Sequence, residues 1–305
     1  MADRHHYVAQ FHLRAFADPE AARTPDPWLW VGDFKQGTVK RRSPKNFAWS
    51  RGLFAGPGGL ANRDATLEAF LAKEVEGPAA TAFRALVCQG TAADGIPPAL
   101  SRYLAWAAAR SLSMKTLYQS WIDNSPPMEE MQVMEPPPPG FAEMRDVYRV
   151  HRMEHSIHGV REDVPSEHVE SMRSEGWRLF LGADDFLELV HLQAWYFQAR
   201  FFPRLQWLLL HAPNGKHFVL GDRPVVWGFA GQSDEPPRAL RNPLVQLAAP
   251  LSGSLALFAH HAAGGRPESI APSDINRIIA SAAHEWVAGP TEKVVREALS
   301  QRAYH

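Results

Sequence analysis

The intervals between apolar side chains divide this chain into stretches of different period. In "PWLWVGDFKQGTVKRRS", apolar and polar residues alternate on either side of Lys35-Gln36-Gly37, which predicts a short β-hairpin. A loop rich in glycine and proline, "SPKNFAWSRGLFAGPGG", follows. From Arg63 to Gly90, the side chains of Leu67, Phe70, Leu71, Val75, Ala79, Phe83 and Val87 recur at helical spacing, with Asp64 placed to cap the start and Gly90 the end. Pro78 predicts a kink or break at Gly77-Pro78. "IPPALSRYLAWAAARSLSMKTLYQSWIDN" reads as a second long helix, opened by proline and rich in alanine. Helical spacing resumes in "FAEMRDVYRVHRMEHSIHGV", "SEHVESMRSEGWRLFLG" and "ADDFLELVHLQAWYFQARFF". Residues 125–140 hold proline, methionine and glutamate without a steady period and read as a mobile surface insertion between helices.

The period shortens from about Arg204. "LQWLLLHAPNGKHFVLGDRPVVWGF" predicts two strands joined at Asn214-Gly215, the strongest short-range hairpin signal. "LVQLAAPLSGSLALFAH" predicts two more, separated at Pro250 to Gly253. "APSDINRIIASAAHEWVAGP" reads as a helix and a short strand, and "TEKVVREALSQRAY" as a final helix. The expectation is one α+β domain, residues 1–305. Its N-terminal two-thirds are mainly helical and pack on an antiparallel β-rich C-terminal part with two helices, residues 204–305.

Composition narrows the classes. The chain has 305 residues, 45% hydrophobic and 21% charged, which is material for an ordinary globular core. A formal net charge of -1 argues against broad, sequence-independent nucleic-acid binding. The basic stretch Lys35 to Lys45 reads as a solvated hairpin and loop. Cys88 is the single cysteine, in an apolar helical stretch, so it reads as a buried inert thiol. No apolar run approaches the roughly 20 residues needed to span a bilayer, and "MADRHHYVAQ" has no apolar core of a secretory signal. The expectation is a soluble cytoplasmic protein without a membrane partner.

Candidate chemistry is scattered. In "HHYVAQFHLRAF" a helix would place His6, Gln10 and Arg14 on one face, beside His5. His151, His155 and His158 sit at i, i+4 and i+7, but "HExxH" is absent, and an exposed histidine-rich face is the reading preferred for them. Glu68 and Glu74 lie six residues apart and point in different directions on an unbroken helix. "LGDRPVVW" puts Asp222 at a strand end, where it can bond the backbone or present a ligand. A P-loop, a GxGxxG after a strand and a GxSxG are all missing, which leaves phosphate cradling and a nucleophile elbow unsupported.

These segments, in order, resemble a mostly bacterial family catalogued as domain of unknown function 4238. "HHYVAQFHLRAF" is similar to its opening His-His-Tyr-Val-Pro-Gln-Phe string. "SPKNFAWSRGLFA" is similar to its lysine-asparagine segment, and "LEAFLAKEVEGPAATAFRALV" to its glutamate helix, with Glu68 and Glu74 at the matching places. "AAARSLSM" matches a helix ending in an arginine and a small hydroxyl residue, Arg110 and Ser111. "VLGDRPVV" resembles a Ser-Asp-Asn-Pro-Val turn, "APLSGSLAL" a Pro-Leu-Ser-Pro segment, and "DINRIIASAAHEWV" a helix carrying an asparagine, here Asn276. Ala9, Gly221, Arg223 and Gly253 depart from that pattern. The resemblance supplies positions and no settled activity.

The resemblance implies that His5, His6, Glu74, Arg110, Asp222 and Asn276 converge in one pocket. A polar group of that kind suits metal-assisted or acid–base chemistry on an anionic substrate. His5, His6, Glu74 and Asp222 are then the catalytic candidates, with His6, Glu74 and Asp222 as ligands to a divalent ion (Mg, Mn, Zn or Fe). Gln10, Arg14, Arg110 and Asn276 are the substrate-binding candidates, Arg110 as a fork for phosphate or carboxylate. The expected function is a metal-assisted hydrolase of an anionic substrate such as a phosphodiester or nucleic acid. The alternatives are a non-catalytic sensor of a small ligand or partner, and a non-haem iron oxidative enzyme.

Overall fold

A computed structural model describes residues 4–51, 53, 71–89, 96–112, 115, 190, 194, 197–198, 202–229, 245–261 and 270–302. The elements are, in chain order, β1 (Arg4–His6), α1 (Gln10–Arg14), β2 (Leu29–Asp33), β3 (Thr38–Arg42), β4 (Trp49–Arg51), α2 (Gly77–Gln89), α3 (Pro98–Ala109), β5 (Leu205–His211), β6 (Leu220–Gly221), β7 (Val226–Phe229), β8 (Val245–Pro250), β9 (Leu255–His261), α4 (Pro272–Ala282), β10 (Trp286–Gly289) and α5 (Glu292–Arg302). The insertion expected at 125–140, the histidine face of His151, His155 and His158, Glu68 and the side chain of Cys88 lie outside the described residues. Among the described residues, no helix is long and apolar enough to cross a membrane.

The expectation of a mainly helical N-terminal two-thirds is overturned, because β1 to β4 all precede residue 52. The reason lies in β10. All four of its residues are buried, so both of its edges need partners. The C-terminal region supplies only the two-residue β6 on one edge; the N-terminal strand β2 takes the other, giving a sheet ordered β3-β2-β10-β6. The N-terminal hairpin therefore completes a sheet begun by the C-terminal end. β1 pairs with β4, setting His5 opposite Ser50 and His6 opposite Trp49.

A second correction concerns the turn at Asn214-Gly215. It does turn, with Gly215 at φ 75, but its flanking strands do not pair. β5 pairs with β9 in a second sheet, β5-β9-β8-β7, and β6 joins β10. Asn276 of α4 explains the parting. Its Oδ1 accepts from Val219 N at 2.9 Å and its Nδ2 donates to His217 O at 2.9 Å. The backbone after the turn is thus satisfied by a helix side chain and not by β5, and Phe218, Val219 and Leu220 are all fully buried. The β8–β9 hairpin forms as its apolar runs predict, turning at Leu251 to Ser254.

Pleat alternation sorts the first sheet into two faces. Gly32 and Gly289 face α5: a Cβ on Gly32 would lie 2.8 Å from Leu299 Cδ1 and from Val295 Cγ1, and one on Gly289 would lie 2.9 Å from Val294 Cγ1. Gly221 lies against α4, where a Cβ would meet that of Ala283 at 3.1 Å. Gly253 abuts Pro290, whose ring a Cβ would approach to 2.7 Å. Of the departures from the family strings, Gly253 is therefore a place where a Cβ would collide with its neighbour, and Gly221 one where it would fit only tightly. Ala9, a third, keeps the backbone that proline requires, at φ −60 and ψ 140.

The close approach of α5 to β2 gives a direct expectation. Gly32→Ala overpacks a buried contact and lowers unfolding free energy by about 1–3 kcal/mol, read as a reduced urea midpoint. An unchanged midpoint would mean that α5 does not sit against the sheet.

Candidate functional site

The first candidates are divided between a strand and a helix. His5 is buried and His6 half-buried in β1, and the helix begins only at Gln10. His6 therefore does not share a helical face with Gln10 and Arg14. The i, i+4 pair that remains is on the surface, with Arg14 Nη2 donating to Gln10 Oε1 at 3.2 Å.

Glu74 faces solvent. Residues Leu71–Glu76 form a π-helical turn ahead of α2, which is how the break expected at Gly77-Pro78 is realised. That turn leaves Glu74 exposed, with Lys73 Nζ 3.3 Å from its Oε1, and brings Glu76 inward instead. Arg110, at the C-cap of α3, is 1% exposed, and its Nη1 donates to Glu76 Oε1 at 2.8 Å. The fork expected for a substrate is thus engaged by a carboxylate of its own chain.

Asp222 and Asn276 are spent on backbone groups. Asp222 Oδ1 accepts from His284 N at 2.9 Å, and its Oδ2 from Glu285 N at 2.7 Å. Burial lifts the Asp222 carboxyl above the usual carboxylate range, and those two amides work against the lift. The carboxylate fixes the turn that leads from α4 into β10. Among the described residues, no three His, Cys, Asp or Glu side chains gather so that they could hold a metal ion. The set of His6, Glu74 and Asp222 is therefore not assembled, because one member faces solvent and another caps backbone amides.

The structure gathers a different buried polar group, and its key member is His12. Its Nε2 lies 2.7 Å from Pro250 O, and its Nδ1 2.9 Å from the Tyr103 hydroxyl. A carbonyl only accepts, so Nε2 carries the proton, and the Tyr103 hydroxyl donates to Nδ1. His12 and Tyr103 are both fully buried. Burial lowers the His12 pKa to about 4, the Pro250 bond opposes that, and the Arg110 charge adds to it. Tyr103 is pushed above its ordinary value by burial, while Arg110 and the Ala9 backbone favour the ionised form. Glu76, Arg110, Tyr103, His12 and Pro250 form a polar path joining α1, α3, the π-helical turn and β8.

Solvent meets a built site elsewhere. A cleft of ≈ 380 Å³ lies between the face of the first sheet opposite α5 and the segment around β4. The register explains its wall. Asp33 lies opposite Thr38 and Trp286, and Val31 opposite Lys40, so alternation turns Asp33, Val31, Thr38, Lys40, Arg42 and Trp286 to one face. Tyr7, Asn46, Phe47 and Trp49 close the other side. The buried Trp286 indole Nε1 donates to the Tyr7 hydroxyl at 2.9 Å, and Phe47 packs on Trp286 with ring centroids 4.4 Å apart. Ala48, between Phe47 and Trp49, has φ 56, a left-handed backbone that alanine adopts at a cost, and its carbonyl accepts from Tyr7 N at 3.1 Å. Burial raises the Tyr7 phenol well above its ordinary value, the Trp286 bond opposes this, and Glu285 and Asp222 add to it, so the hydroxyl keeps its proton.

Charge in the cleft is uneven. Lys35, Lys40 and Arg42 face Asp33 and Glu285. Asp33 Oδ1 accepts from the amides of Lys35 and Gln36, and Glu285 Oε1 lies 4.0 Å from Lys35 Nζ. Among the described residues, Lys40 and Arg42 have no carboxylate partner. The stretch read as a solvated hairpin thus supplies the cations of a cleft. The opening string contributes Tyr7, the lysine-asparagine segment contributes Asn46 and Phe47, and the end of the asparagine helix string contributes Glu285 and Trp286. Sequence reasoning noticed these strings but chose their titratable members over the aromatic ones.

Comparison with known proteins agrees with the resemblance in those strings. The model of the family described as Protein of unknown function (DUF4238) matches residues 4–293. No curated protein and no solved structure matches the chain.

The buried path carries a pH dependence whose sign follows from His12. Its pKa is 6.5 unfolded and about 4 folded, so the unfolded chain takes up the proton first on acidification. The His12 contribution is complete above pH 6.5 and is lost as pH falls from there through about 4. Urea midpoints should fall over that range, and in His12→Leu, already weaker at neutral pH, the slope should be flatter. An unchanged slope contradicts the neutral, buried imidazole. In the same assay Arg110→Met should cost about 3 kcal/mol by leaving Glu76 unpaired, and Glu74→Gln less than about 0.5 kcal/mol.

Proposed function

The chain belongs to the DUF4238 family, and from that premise we propose that it is a binding protein for a small anionic ligand, held in the cleft beside the β2–β3 hairpin. The observation that carries this is the pair Lys40 and Arg42, exposed cations without a carboxylate partner among the described residues, on the wall of a cleft lined by aromatic side chains. Lysine offers a point charge and arginine a planar fork, the two usual ways of gripping phosphate or carboxylate. A volume of ≈ 380 Å³ lies at the small end of ligand sites, about 300–1,000 Å³. The strained Ala48 supports the reading, since backbone strain of this kind is concentrated at ligand sites.

Hydrolysis of an anionic substrate, including a phosphodiester, is the second reading. It is favoured by the carboxylates of Asp33 and Glu285, which share the cleft with the cations. A divalent metal would then be held there and not by His6, Glu74 and Asp222.

Calorimetry of the full chain with inorganic phosphate and pyrophosphate tests the first reading. Binding should weaken at least roughly tenfold in Lys40→Glu/Arg42→Glu, the loss of two charge-assisted contacts, and stay unchanged in Arg14→Glu, an exposed residue outside the cleft. Absence of anion binding, or equal binding by the cleft variant, contradicts it. Turnover of bis-p-nitrophenyl phosphate with Mg²⁺, Mn²⁺, Zn²⁺ or Fe²⁺, lost in the cleft variant, would establish the second reading.

A further inference from the structure

We infer that the Tyr7 hydroxyl donates its proton to the ligand of this cleft, and that this contact selects a phosphate group over a carboxylate. The inference rests on the anion-binding reading and names the residue that reads the shape of the anion. Tyr7 lines the cleft yet is only 3% exposed. Its oxygen accepts from the Trp286 indole, which is a donor only, so the phenol's own proton is left for another partner. Among the described residues nothing accepts that proton. A buried donor without an acceptor costs free energy, and an oxygen of a bound anion completes it. The indole bond also polarises the phenol and makes it a better donor. The bond from Tyr7 N to the carbonyl of Ala48 holds the backbone that carries it.

Two walls supply the donors. Tyr7 is tied to Trp286 of β10, and Lys40 and Arg42 stand on β3. β2 lies between those strands, so they are about 10 Å apart at roughly 4.8 Å per strand. The long side chains of lysine and arginine can span such a gap to share one ligand with the phenol. Asp33 and Glu285 are engaged elsewhere, Asp33 with the amides of Lys35 and Gln36 and Glu285 with Lys35. A carboxylate offers its lone pairs in one plane, and an arginine fork takes one edge of that plane. A phosphate group carries three oxygens about a tetrahedral centre, so donors that approach from opposite walls each meet one.

Calorimetry on the full chain in mildly alkaline buffer compares propyl phosphate, inorganic phosphate and succinate, all dianions there. Propyl phosphate should bind about tenfold more tightly than succinate. Tyr7→Phe keeps the ring and removes the donor. It should weaken both phosphates about tenfold and leave succinate unchanged, whereas a merely structural tyrosine would weaken all the anions alike. Should Tyr7→Phe fold poorly, the ratio of propyl phosphate to succinate on the natural chain decides alone. Equal binding of propyl phosphate and succinate, or equal losses in Tyr7→Phe, overturns the inference yet leaves anion binding standing, and failure of every anion removes both. Tighter binding of propyl phosphate than of the free ion assigns the ligand to a phosphate monoester, and the reverse to inorganic phosphate; either supports the phenol donor.

Discussion

The hydrogen bond from the Trp286 indole to the Tyr7 hydroxyl joins positions 279 residues apart, and much of the molecule is arranged around it. It ties the segment after β1 to the central strand of the first sheet. Phe47 packs on the same indole, and Ala48 accepts from the Tyr7 backbone. The beginning of the chain is thereby bound to its end, and the cleft exists because these two parts meet over one face of the sheet while α5 covers the other.

Several polar residues that suggest chemistry serve as ties of the same kind. Asp222 closes the turn into β10, Asn276 carries the backbone before β6, and His12 holds α1 to the end of β8. Each is buried, and each replaces a strand partner or a water that the backbone would otherwise need. Arg110 and Glu76 extend the pattern as a charged pair inside the helical part.

Local elements were legible wherever one short period held. The β2–β3 and β8–β9 hairpins, α4, β10 and α5 follow their apolar patterns, whereas α3 stops at Ala109, short of the longer helix expected from Ile96 to Asn124. What periodicity could not convey was which strands pair. The turn at Gly215 looked like a hairpin because both flanks are apolar, and a single distant side chain, Asn276, decided against it. The mainly helical reading of the first two-thirds failed because the need of β10 for a second neighbour lies in residues near 286, far from the strand that meets it. The site was half legible. The strings that build the cleft stood out, but within them His5, His6 and Asp222 drew attention as titratable groups, and Tyr7, Phe47 and Trp286 were given no role. Glu74 stood at the matching place of the family's glutamate helix, but the π-helical turn leaves it exposed and brings Glu76 inward. His12 was passed over since one histidine among apolar neighbours gives no spacing signal.

The most direct measurement is the nuclear magnetic resonance of the Trp286 indole N–H, assigned by its loss in Trp286→Phe and followed while pyrophosphate is added. A signal protected from solvent exchange that shifts in a saturable way is the result expected of an indole locked to Tyr7 beneath the ligand. An indole proton that exchanges freely and ignores pyrophosphate would contradict both the tie and the cleft built upon it.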